Sequence, residues 1–296
     1  MIVNQQNLRG IYTAFNTIFA KAFEASKPSY DKVATIVPSV AGEESYKWLG
    51  TIPMMKEWIG DRQIKSLKAA GYTLKNMDFE VTVAVPRNDI SDDRIGLYNP
   101  MIQSMAQSAS LHPDKLVFKL LPGGFSNKCY DGKTFFATNH KVGEKFTFSN
   151  KGTAKLSLES YAEARATIMS MTDEEGESLN IIPDLLVVPP ALEAEARKIL
   201  LADQINGTTN TMKGTAEPFV VPELAGNDTA WYLLCTTKPV KPLIYQEREK
   251  PKFVSLTNET DENVFMRKEF IYGADSRGNA GYAFWQMAYG SDGSAS

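Results

Sequence analysis

Reactive and metal-binding side chains are scarce in this sequence. Among 296 residues there are two cysteines, Cys129 and Cys235, and two histidines, His112 and His140. The cysteines form no CxxC pair and no disulfide framework, so they read as two reduced, buried thiols. Each histidine stands without a second His or Cys at metal-ligand spacing, and no metal set is expected. His112 precedes Pro113 and His140 follows Thr138-Asn139, where a helix break and a turn account for them. A basic surplus is also missing. With 32 Lys and Arg against 35 Asp and Glu the net charge is −3, which argues against a dedicated nucleic-acid binder. No run approaches the ~18–20 apolar residues of a membrane span. The N-terminus does not read as a secretory signal, because Arg9 is its only early basic residue and Asn16-Thr17 interrupt the apolar pattern.

Catalytic and cofactor motifs are equally thin. Gly132-Lys133-Thr134 resembles the end of a phosphate-binding loop, but the glycine needed five residues earlier is Asn127, and Asp131 would set a carboxylate beside the phosphates. There is no GxSxG elbow. Cys129 has no base beside it in sequence, and His140 is the one candidate to approach it in space. Asp173-Glu174-Glu175-Gly176-Glu177 lacks the spaced ligands of a calcium loop and reads as a solvated turn. Asp92 and Asp93 are explained by the dipole of the helix they precede. The expectation is no catalytic residue, no cofactor and no metal, with a Cys129/His140 hydrolase or transferase as the alternative.

What is present is a core. With 43% hydrophobic and 23% charged residues the chain has material for one large domain or two smaller ones. Its clearest unit is 181–203. Leu185-Leu186-Val187-Val188 is too short for a helix and has no polar face, the pattern of a strand buried on both sides. Pro189-Pro190 ends it, and Pro190 suits a first helical position. The helix that follows places Leu192, Ala196, Ile199 and Leu200 on one face. Glu193 and Glu195 lie in its first turn, and Arg197 and Lys198 lie nearer its end.

The remaining chain alternates helices and strands. Residues 5–24 set Leu8, Ile11, Tyr12, Phe15, Ile18, Phe19 and Phe23 at helical spacing, an aromatic face that docks on its own core or on a neighbouring subunit. Residues 26–77 are punctuated by Pro and Gly and carry Tyr46, Trp48, Met54, Met55, Trp58 and Arg62, an enrichment typical of interfaces. Phe79, Val81, Val83 and Val85 alternate as a half-buried strand that Pro86 stops. A long bent helix of about 25 residues follows, broken near His112-Pro113. Pro122–Asn150 reads as loops and hairpins. Ser157 caps a helix over 157–171, with Leu158, Tyr161, Ala162, Ile168 and Met169 on its buried side. Strands are expected at Phe219–Val221, Trp231–Cys235 and Leu243–Tyr245. Two more close the chain near Val264–Tyr272 and Gly281–Met287, joined by a turn over Gly273–Gly278.

Five blocks in order resemble one family. They are Glu57-Trp58-Ile59-Gly60-Asp61-Arg62; Phe79-Glu80-Val81-Thr82-Val83 leading to Asp92–Pro100; Asp131-Gly132-Lys133-Thr134-Phe135-Phe136; Pro183–Ala194; and Trp231-Tyr232-Leu233-Leu234. The chain resembles the Mu-like bacteriophage major head subunit, a major capsid protein of the Hong Kong 97-type capsid fold. The resemblance implies an α+β fold with an N-arm at 1–35, an extended E-loop at 36–78 and a P domain at 79–180 whose spine helix covers about 92–121. It also implies an A domain at 181–250 and returning C-terminal strands at 251–296. The function implied is self-assembly into pentamers and hexamers of an icosahedral head that encloses DNA without sequence-specific binding. Implied partners are the chain itself, separate scaffold, protease and portal proteins, and optionally a decoration protein, with no membrane. The place implied is the virion, assembled in the bacterial host cytoplasm. Expected assembly-interface residues are Phe15, Phe19, Tyr46, Trp48, Glu57, Trp58 and Arg62. A nanocompartment shell of the encapsulin type on the same fold is the second alternative.

Overall fold

The strand Leu185–Val188 has all four side chains buried, as its unbroken apolar run requires. Pro190–Leu192 makes a short 3-10 turn and the helix Glu193–Leu201 follows, burying Ala196, Ile199 and Leu200. In the computed structural model, which describes residues 2–50, 71–258 and 260–295, this strand lies inside a five-stranded sheet. It pairs in parallel with Glu217–Val220 and antiparallel with Trp231–Leu234. Ala288–Ser291 extends the sheet antiparallel to Trp231–Leu234, and Lys151–Gly152 closes it in parallel. Trp231, Tyr232, Leu233 and Leu234 are all buried, so the sheet is sandwiched on both faces here.

A second sheet of four strands runs Ala34–Pro38, Leu243–Leu256, Glu269–Tyr282, Met77–Pro86. The central hairpin of two 14-residue strands is its frame. The helix Asn99–Phe118 and the N-terminal helix Gln5–Ala25 pack against this sheet and each other. Leu8, Ile11, Phe15 and Phe19 of the N-terminal helix join Ile102, Met105, Phe253, Phe270 and Tyr272 in a core separate from the larger one around the five-stranded sheet. The aromatic face of the first helix therefore docks on its own chain.

Several expectations change at the hairpin. Gly273–Gly278 is not a turn but the middle of the strand Glu269–Tyr282. Its glycines serve close approach. A Cβ on Gly278 would lie 2.6 Å from the Gln246 carbonyl oxygen, and one on Gly273 would lie 3.1 Å from that of Val81. The preceding strand, expected to end at Tyr245, continues to Leu256 with register shifts on either side of Glu249. Those bulges let Pro251, which has no N–H to donate, remain in the strand. The first residues of the strand expected over Val264–Tyr272 instead lie in the helix Glu262–Arg267, closed by Lys268 in the left-handed conformation at φ 54°. Gly281–Met287 gives only the end of a strand and a 3-10 turn, Trp285–Met287.

The long helix also differs in its start. Asp93, with φ 60°, interrupts the chain before it, and a 3-10 turn Ile95–Tyr98 leads into Asn99. Pro113 lies inside the helix, where its ring removes one i−4 hydrogen bond without ending it. The helix Leu158–Met169 begins as expected, with a capping box between Ser157 and Ser160, though Met169 is exposed.

Candidate assembly surfaces and the Cys129 cluster

Three of the seven expected interface residues are used inside the subunit. Phe15 is fully buried and meets Tyr272 edge-on at 5.0 Å between ring centroids, and Phe19 lies 5.3 Å from the Phe253 ring. Tyr46 is buried and donates from its hydroxyl to Gln246 Oε1 at 2.7 Å. Their apolar area is already removed from water within the subunit. Trp48 is partly exposed, resting edge-on against Tyr46 at 5.9 Å and Phe284 at 6.0 Å. Glu57, Trp58 and Arg62 lie outside the described residues.

Apolar surface is exposed elsewhere. Phe265 and Met266, on the connection between the two long strands, are 81% and 70% exposed. Val254 and Leu256 near the same end of the sheet are about half exposed, and the Leu256 carbonyl accepts from Asn263 Nδ2 of that connection at 3.2 Å. A groove of about 370 Å³ runs between the strand Met77–Pro86 and the long helix, lined by Val81, Val83, Pro100, Met101, Ser104, Met105 and Ser108. Little in the sequence points to the first patch, because Val264–Tyr272 reads as a strand.

The structure does bring Cys129 and His140 together, through a third residue. Asp131 Oδ2 lies 2.5 Å from His140 Nδ1, and Asp131 Oδ1 accepts from the Cys129 thiol at 3.2 Å and from the Lys133 amide at 2.9 Å. His140 is wholly buried, its ring stacked on Trp285 at 4.0 Å and 7°, with Nε2 directed to the Phe135 carbonyl at 3.3 Å. Gly132, at φ 78°, makes the tight turn that returns Asp131 toward the thiol. Burial, reinforced by the negative charge of Asp131, pushes the Cys129 thiol far up from its ordinary value. Burial also opposes the charge on Asp131, yet the hydrogen bonds from His140 and Lys133 hold its carboxyl below the usual range. The thiol thus donates to a carboxylate instead of facing a base, the reverse of an activated nucleophile. The acidic loop is likewise structural, since Asp173 is buried and its Oδ1 accepts from the amides of Glu175 and Glu177.

This architecture has known counterparts. The model of the Mu-like prophage major head subunit gpT matches residues 8–157, 146–224 and 223–295. The chain belongs to the Mu-like major head subunit family. It is 34% identical over 288 residues to the major capsid protein of Escherichia phage Mu, covering 97% of this chain and 74% of that one. It is 31% identical over 282 residues to the Mu-like prophage FluMu major head subunit of Haemophilus influenzae, covering 95% and 72%. The procapsid of bacteriophage JBD30 superposes with a TM-score of 0.63 at 36% identity, covering 98% of this chain and 76% of that chain. The fold is accordingly the Hong Kong 97-type capsid fold, and this head subunit is a shell-forming structural protein of the virion. Neither the nanocompartment nor the Cys/His enzyme reading is retained. Among the described residues no helix is long and apolar enough to cross a membrane.

Proposed function

We propose that this head subunit assembles into pentamers and hexamers through the distal end of its four-stranded sheet together with Trp48, Glu57, Trp58 and Arg62. The observation that carries the proposal is the exposure of Phe265 and Met266 beside Val254 and Leu256, an apolar patch that an isolated protein rarely leaves in water. Residues 1–35 serve as N-arm, 36–78 as E-loop and 79–180 as P domain, with the spine helix at Asn99–Phe118. The boundary of the A domain is better set at Leu243 than at 250, because the strand Leu243–Leu256 runs unbroken across that position. Separate scaffold, protease and portal proteins direct assembly, and the shell encloses DNA without reading its sequence. A net charge of −3 suits that role, since a basic lining would grip the genome non-specifically. The chain performs no catalysis of its own.

The test is paired. Phe265→Ser with Met266→Ser is measured for melting of the unassembled subunit and for particle yield by sedimentation and negative-stain imaging. An unchanged melt with lost particles supports the proposal, because both side chains are already solvated in the subunit. Particles formed at parental yield would refute it.

A further inference from the structure

We propose that Cys129, Asp131 and His140 form a binding site for one divalent, borderline-soft cation of the zinc type. Their ligand atoms all lie within 4.8 Å of one another. Tetrahedral zinc bonds of about 2.0–2.3 Å hold ligand atoms roughly 3.3–3.8 Å apart, so small side-chain rotations close the set. A thiolate, a carboxylate and an imidazole are also the donors such an ion prefers.

The surroundings are organised as an outer shell for that purpose. The second nitrogen of a metal-bound histidine is characteristically held by a carbonyl or carboxylate. Here His140 Nε2 faces the Phe135 carbonyl, which also accepts from Asn150 Nδ2 at 2.9 Å. Trp285 stacked on the imidazole fixes the plane of the ring. Asp131 is the most open of the three, with 18% of its side chain exposed, and it marks the entry path and the side for a water as fourth ligand.

The exchange balances. In the metal-free cluster Nε2–H donates to the Phe135 carbonyl and keeps its proton throughout, one proton lies between Nδ1 and Oδ2, and another is on the thiol. Coordination releases both protons to solvent and admits one dication, so the site stays neutral and nothing is oxidised or reduced. A bound ion would fasten the turn at 128–134 to the strand His140–Val142, stiffening the larger core beneath the five-stranded sheet.

The experiment uses the full chain stripped with chelator and titrated with Co²⁺, and separately with Zn²⁺. The expected result is one Co²⁺ per subunit with a thiolate-to-cobalt absorption band, and a higher melting temperature with Zn²⁺. Cys129→Ser should lose the band and the Zn²⁺ response while keeping the parental circular dichroism, and Cys235→Ser should retain both. Should Cys129→Ser fail to fold, loss of the band in Asp131→Asn with Cys235→Ser unaffected carries the same conclusion. Substoichiometric metal in the parent, or the same band in Cys129→Ser, overturns the site.

Discussion

Replacing Phe15 by alanine separates the subunit's own packing from assembly. Phe15 is fully buried in the core between the N-terminal helix and the four-stranded sheet, with its ring edge-on to Tyr272 at 5.0 Å. Truncating a buried phenylalanine costs about 3–5 kcal/mol, including the lost aromatic pair and the cavity left behind. At roughly 2 °C per kcal/mol for a large domain, that corresponds to a melting temperature lowered by about 6–10 °C. Phe15→Leu, which keeps most of the volume, should cost under about 1.5 kcal/mol. Thermal melting of the unassembled subunit gives the global effect. Hydrogen exchange over residues 5–25 shows whether the helix alone undocks, in which case protection is lost there while the melt of the five-stranded sheet is unchanged. Particle yield is measured on the same preparations. A Phe15→Ala subunit with parental melting, parental protection of 5–25 and no particles would refute the packing argument and return Phe15 to an interface.

Trp58→Ala is expected to reduce particle yield far more than subunit stability, with a contact cost of about 2–4 kcal/mol per copy; a large fall in melting temperature would place the side chain in the core instead. Gly290→Ala should destabilise by about 1–3 kcal/mol, because the added methyl would lie 2.8 Å from the buried Phe136 ring; denaturant unfolding checks it. Ser157→Ala removes one half of the capping box and should cost about 0.5–2 kcal/mol. Asp114 is buried and accepts from the Ser29 and Tyr30 amides and the Ser29 hydroxyl; burial, aided by the charge of Glu223, raises its pKa above the ordinary value. The folded state then holds the proton more tightly than the unfolded one. Stability from this group falls as pH rises through its folded pKa and recovers toward the ordinary value of about 4. The stability advantage of the parent over Asp114→Asn should therefore widen on acidification through that window, and a gap that narrows in urea unfolding counts against the assignment.

Short-range features of this head subunit were legible because a few adjacent residues set them. Four apolar residues ended by Pro189-Pro190 determine the strand Leu185–Val188, and the helix after it follows from apolar spacing and charge order. Ser157 announces the start of its helix because a hydroxyl at that position satisfies an otherwise orphaned amide. Tertiary structure decided what those elements face. Periodicity shows that Phe15 and Phe19 share a side, but only the sheet beneath them makes that side a core. Glycines 273 and 278 carry the same local signal whether they turn the chain or let another strand approach, and the close approach of the Val81 and Gln246 carbonyls selects the second. The charged stretch 247–252 hides a strand, because alternation weakens where a sheet is open to water and bulges shift its phase. Cys129, Asp131 and His140 lie up to 11 positions apart and show no ligand spacing. Their meeting depends on a tight turn at Gly132 and on Trp285, which the fold brings from far along the chain.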